Sequence, residues 1–206
     1  KLKFKNLFVF FGPVETSKLI LNSFKDIRKI YLKETQHFYA IIRLKREIKT
    51  RFFKINLNKI NFSCQLYSLK NVLGLFFKNY FKNTKYKKKG RYFVAQCHLN
   101  QNNSGKIEIS KKNNQINILG IKNKNFNEKK LIKGINNFNK KNDYLEIKKV
   151  FFNQIGASNH LGASIPMTTK RFLSLGVNKY GKLNNTKNIF VADSSILNEI
   201  DTSPIT

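Results

Sequence analysis

Five short runs of β-branched and aromatic residues between positions 37 and 121 constrain this chain more than any other feature. They are HFYAIIRL (37–44), TRFFKINL (50–57), RYFVAQCHL (91–99), KIEIS (106–110) and QINILGI (115–121). Polar Asn, Lys and Gly connections separate them. Runs of this length and make-up, bounded by turn residues, predict strands of an antiparallel sheet joined by hairpins. Ser104-Gly105 is the turn signal before KIEIS, and Asn113-Asn114 turns the next hairpin. Two helices are predicted to interrupt the sheet. Over 65–82, Leu66, Leu69, Val72, Leu73, Phe76 and Phe77 share one face, and over 128–140 Leu131, Ile135 and Phe138 do the same.

The flanks read differently. LFVFF (7–11) is predicted to be a buried strand. Gly12 and Pro13 break it, and a helix follows with Leu19, Ile20 and Phe24 at helical spacing. The far end holds a Gly/Ser-rich loop, GASNHLGAS (156–164), then a short strand, IFVA (189–192), and DSSI. A strand opening the chain with no Met before it, and a closing SPIT that stops just after a Pro suited to the first turn of a helix, predict an internal piece of something longer.

Hydrophobic residues make up 41% of the 206 and aromatics 13%, enough to build a core and to exclude wholesale disorder. The formal net charge is +29, which points to nucleic acid or another anionic surface. Only six of the forty basic residues are Arg, the better residue for bidentate phosphate and base contacts. The Lys keep company with abundant Asn, Ile and Phe, all with A/T-rich codons, so base composition accounts for much of the charge. KYKKKGR (85–91) reads as a solvated loop. Cys64 and Cys97 are the only cysteines and their spacing resembles neither a disulfide framework nor a metal knuckle, and the three His lie far apart, so no zinc site is expected. With no long apolar run and no signal peptide, the expected address is cytoplasmic.

Chemistry concentrates in two clusters. In NHLGASIPM (159–167), His160 can exchange a proton near neutral pH, and Gly156 and Gly162 allow close backbone approach. Alone, it reads as well as a structural histidine. In NIFVADSSI (188–196), a short apolar strand delivers Asp193, Ser194 and Ser195 at its carboxyl end, where α/β sheets bind ligands. Asp193 reads equally as a turn or helix cap.

In this order and spacing, HLGASIPM, LGVNKYGKLNNTKNIFVADSSIL and TSPIT resemble the C-terminal signature of the glucose–methanol–choline flavin oxidoreductases. His160, Gly162, Met167, Gly176, Gly181, Asn188, Val191, Ala192, Asp193, Ser195 and Pro204 carry the likeness. Near the start, LFVFFGPVETSKLILNSF is similar to another segment of that family through Gly12, Thr16, Leu19, Leu21 and Ser23. AQCHLNQNNSGKIEIS resembles its substrate-domain strand.

The resemblance implies an α+β chain. A segment of an FAD-binding α/β domain (1–24) would precede an antiparallel-sheet substrate domain with helices (25–150). An active-site segment (151–206) would return to the FAD domain. It implies oxidation of an alcohol or sugar at CH–OH, with hydride passing to flavin N5, His160 as base and electrons leaving to an acceptor the sequence does not identify. Gly12, Asp193, Ser194 and Pro204 would bind FAD. Ser203 stands before Pro204, where many members carry a His or Asn as second catalytic group. No strand–GxGxxG–helix unit for the ADP half occurs in the 206 residues, and the resemblance places it upstream. The competing reading is a basic nucleic-acid-binding protein with Phe and Tyr stacking platforms. A third takes helix 65–82 and KYKKKGR as a membrane-surface anchor.

Overall fold

Period-2 runs become strands here with close fidelity. The computed structural model describes residues 4–57, 60–68, 91–168 and 175–202. Within them the order is β1 (Leu7–Val9), α1 (Pro13–Ser23), β2 (Lys29–Glu34), β3 (His37–Leu44), β4 (Phe52–Leu57), β5 (Ile60–Ser68), β6 (Tyr92–Leu99), β7 (Lys106–Lys112) and β8 (Gln115–Ile121). Then come α2 (Glu128–Lys141), β9 (Leu145–Phe152), β10 (Leu161–Gly162), β11 (Ile189–Val191) and a 3₁₀ turn (Ser194–Ile196). The class is α+β with antiparallel sheets.

The chain forms two compact units, between which it passes repeatedly. One comprises His37–Asn103 and Lys124–Asn153, and the other Lys1–Gln36, Ser104–Asn123 and Gln154–Thr206. These boundaries cut across the expected 1–24, 25–150 and 151–206: β2, β7 and β8 do not share a unit with β3 to β6.

The first unit is a five-stranded antiparallel sheet, order β4-β5-β6-β3-β9, with α2 contacting β4 and β9. Alternation along β3, β5 and β6 puts Phe38, Ala40, Phe62, Cys64, Ala95 and Cys97 in one core, which Leu131 and Ile135 of α2 complete. Asn127 caps α2 by accepting from the Lys130 amide, and Lys45 Nζ donates to the carbonyls of Asn139 and Asn142 at its other end. A cation there suits the negative end of the helix. The expected helix over 65–82 is corrected at its start, because Gln65–Ser68 continues β5. Its remainder, and all of KYKKKGR except Arg91, lie outside the described residues.

The second unit holds a four-stranded antiparallel sheet, order β10-β2-β7-β8, and a parallel pair, β1-β11. The Asn113-Asn114 turn of β7–β8 forms as expected: φ is 48° and 63°, both left-handed, as a two-residue type I′ turn requires. The core gathers Ile20 and Leu21 from α1, Ile30 and Leu32 from β2, Ile107 and Ile109 from β7, and Ile165, Val177, Leu183 and Val191 from the C-terminal segments.

Candidate functional site

β1 and β11 pair in parallel, with Leu7 opposite Ile189 and Val9 opposite Val191, so both strands point their carboxyl ends the same way. Each end delivers one of the expected residues: Gly12 lies just past β1 and Asp193 just past β11. Gly12 has φ 85°, a conformation that disfavours any side chain, and Pro13 pre-sets the first turn of α1. Among the described residues, no atom beyond its chain neighbours lies within 4 Å of where a Cβ on Gly12 would stand, so the space beside that residue is open.

α1 lacks a side-chain cap of its own, and Asp193 takes that place from across the parallel pair. Its Oδ2 accepts from the Gly12 amide at 3.1 Å and from Thr16 Oγ1 at 2.6 Å. Its Oδ1 accepts from the Ser195 amide at 2.8 Å, capping the 3₁₀ turn as well. A carboxylate at a helix N-terminus meets the positive end of the dipole. Asp193 is thus a cap, one of its two sequence readings, and its side chain is committed to protein.

The 3₁₀ turn then aligns with residues 163–167. The amides of Ala163, Ile165 and Met167 donate to the carbonyls of Ser194, Ser195 and Ile196, at 2.9, 2.9 and 3.0 Å. Ser194 Oγ donates to the Leu161 carbonyl at 2.8 Å. Gly162 is required at this crossing: a Cβ there would stand 2.4 Å from the Ser194 carbonyl oxygen.

His160 precedes this ladder. Its amide donates to Ser158 Oγ, and its carbonyl accepts from the Thr35 amide, so β2 and β10 fix its backbone. The ring is half-buried. Burial holds the imidazole below its ordinary value of 6.5, and the Asp201 carboxylate pulls the other way without reversing it. Burial thus favours the neutral imidazole, the form that can accept a proton.

Gly12 and Asp193 are brought into direct hydrogen bonding, and Ser194 is joined to the residue after His160. Ser203 and Pro204 lie outside the described residues. Sequence reasoning missed three residues. Thr16 was read only as part of a motif, yet it is fully buried on Asp193. Asp201 carried no signal beyond its place near Pro204. Glu34 did carry one, because alternation with Ile30 and Leu32 aims it at the core. It is fully buried, its Oε2 accepts from the Gly156 amide at 2.9 Å, and burial raises its carboxyl above 4.5.

The chain matches no protein-family model and no curated protein. Among the described residues no group of three or more His, Cys, Asp or Glu could hold a metal ion, and no helix is long and apolar enough to cross a membrane.

Proposed function

We propose that this chain is the C-terminal part of an FAD-dependent oxidoreductase that oxidises the CH–OH group of an alcohol or sugar, with His160 as the base. One observation carries the reading. The two segments singled out by resemblance, 7–24 and 188–196, lie at opposite ends of the sequence and yet form one parallel strand pair joined through Gly12 and Asp193. Ligands of α/β sheets bind at the carboxyl ends of parallel strands, where these two residues stand. Parallel strands are also normally covered on both faces, yet Phe8 on β1 and Phe10 and Phe11 just past it are more than half exposed. That exposure suits a sheet that continues into an FAD-binding domain.

The residues fit the cofactor at one point in particular: the space beside Gly12 leaves room for a ribityl or phosphate chain to pass, while the Gly12 amide itself stays with Asp193. Asp193 and Ser194 have committed side chains, so they would hold FAD through backbone amides, and the resemblance adds Pro204 to the set. FAD, when bound, supplies the hydride acceptor. His160 takes the hydroxyl proton of the substrate. Asp201 stabilises the imidazolium that results, and the bonds to Ser158 and Thr35 hold the ring's backbone in place. Ser203 is the second group of the site in this reading.

The test is the visible spectrum of the full gene product after incubation with FAD, followed by anaerobic addition of alcohols and sugars. A flavin spectrum that bleaches with one of them is expected. His160→Ala should slow bleaching roughly 10²–10⁴-fold. In the unaltered protein the rate should fall on acidification, with a midpoint below 6.5. A product that takes up no FAD overturns the proposal.

A further inference from the structure

The two cysteines of the chain face each other across β5 and β6. Cys64 is directly opposite Cys97 in the antiparallel register. The kind of pair follows from the ladder. The Asn100 amide donates to the Asn61 carbonyl, so 61 and 100 are a hydrogen-bonded pair. Alternation makes 63 and 98 hydrogen-bonded, and 62/99 and 64/97 not. Non-hydrogen-bonded pairs bring opposite Cα atoms to about 4.5 Å, within the 4.4–6.8 Å span that a disulfide bridges. The side chains converge accordingly: Sγ stands 2.8 Å from Sγ, and both residues are fully buried. Closing that contact to a covalent bond of about 2.05 Å moves each sulfur by roughly 0.4 Å. The chain has no third cysteine, so no other intramolecular pairing competes.

We propose that Cys64 and Cys97 are a disulfide site, closed as a cross-strand cystine when the chain folds in the presence of a small-molecule disulfide such as oxidised glutathione. One thiolate attacks the glutathione disulfide, forms a mixed disulfide and releases one glutathione thiolate. The second cysteine thiolate attacks the protein-bound sulfur and releases the other glutathione. Two protein thiols lose two electrons and two protons, and one glutathione disulfide becomes two glutathiones. In the folded state, burial and then the neighbouring Cys64 thiol push the Cys97 thiol well above its ordinary value, so little thiolate is present to begin the exchange. Oxidation belongs to the opening or folding chain. This inference concerns the five-stranded sheet alone and is independent of the flavin reading.

The experiment equilibrates the full chain with oxidised and reduced glutathione at several ratios, in native buffer and again in concentrated urea. Acid quench, alkylation under denaturing conditions and intact mass follow. The expected product is a monomer lighter by two hydrogens, with no alkylated cysteine and no retained glutathione. Its equilibrium constant for closure should be roughly 30- to 1,000-fold larger in native buffer than in urea, because the fold holds the sulfurs together. Cys64→Ala and Cys97→Ala should each stop at a single glutathione adduct. Equal closure constants in buffer and urea would overturn the proposal, as would glutathione retained on both cysteines or a disulfide between chains. A wild-type protein with two alkylatable thiols at every ratio would do so too.

Discussion

Asp193 ties three elements with one carboxylate, and the consequence is a stability cost that a purely ligand-binding aspartate would not show. Asp193→Ala leaves the Gly12 amide, the Thr16 hydroxyl and the Ser195 amide without their acceptor. The loss should be about 3 kcal/mol, since donors left unpaired to a missing charge each cost on the order of 1–3 kcal/mol. Thr16→Val removes one of these bonds at constant shape and should cost about 1 kcal/mol. Urea unfolding of both variants checks this, and an unchanged midpoint for Asp193→Ala rules out the capping role. Glu34 makes a prediction of opposite kind. Its carboxyl is raised by burial above 4.5, so the folded state holds the proton more tightly than the unfolded chain. Its favourable contribution is complete below pH 4.5 and is lost as pH rises through the raised value. Glu34→Gln keeps an acceptor for Gly156 and cannot titrate, so the loss on raising pH above 4.5 should vanish from its stability–pH curve. His160 acts in the reverse sense. Its folded value lies below 6.5, so its protonation lowers stability as pH falls from 6.5, and His160→Ala isolates that limb.

Among elements, what the sequence displays depends on whether period 2 survives. β3 and β8 coincide with HFYAIIRL and QINILGI residue for residue, because both are rich in β-branched or aromatic residues and end at polar turns. β9 was invisible. Its pairing with β3 shifts between Ile41 and Ile42, which face Lys149 and Ile147, so Lys148 is an extra residue. The bulge puts two exposed lysines in succession and breaks the alternation a reader would follow. β5 was misread at its end because Leu66 and Leu69 also satisfy helical spacing, and four residues cannot separate the two periods. At the site, motif spacing identified Gly12 and Asp193, but no local pattern ties Thr16 to a carboxylate 177 positions away. Two element-level substitutions follow. Asn114→Gly relieves a left-handed φ of 63° in the type I′ turn and should stabilise the β7–β8 hairpin by about 0.5 kcal/mol. Gly162→Ala drives a methyl against the Ser194 carbonyl, with Ile200 Cδ1 only 2.7 Å away, and should cost about 2–3 kcal/mol. Thermal unfolding of the pair should move the midpoint in opposite directions.

On the scale of the molecule, charge is the feature with no structural counterweight. Forty basic residues face eleven acidic ones, an excess of 29 positive charges. No lysine is buried among the described residues, and Glu146, the best-paired acid there, already serves both Arg43 and Lys148. Such a surface repels itself and attracts any polyanion, whatever the protein's task. The quantity that separates a general attraction from a nucleic-acid function is therefore not affinity at low salt but its survival as salt rises. A field of dispersed lysines releases counterions without reading bases. Binding to a duplex of about two helical turns should fall roughly 10³-fold or more between about 50 and 200 mM salt, equally for any sequence. Fluorescence anisotropy with two unrelated duplexes and a single-stranded RNA measures this directly. A complex that persists at the higher salt and prefers one sequence would require base-edge contacts from residues such as the six arginines. It would favour nucleic-acid recognition over the flavin chemistry proposed above. The expected outcome, a steep and sequence-blind loss, leaves the charge as a property of composition and the proposed role of His160 untouched.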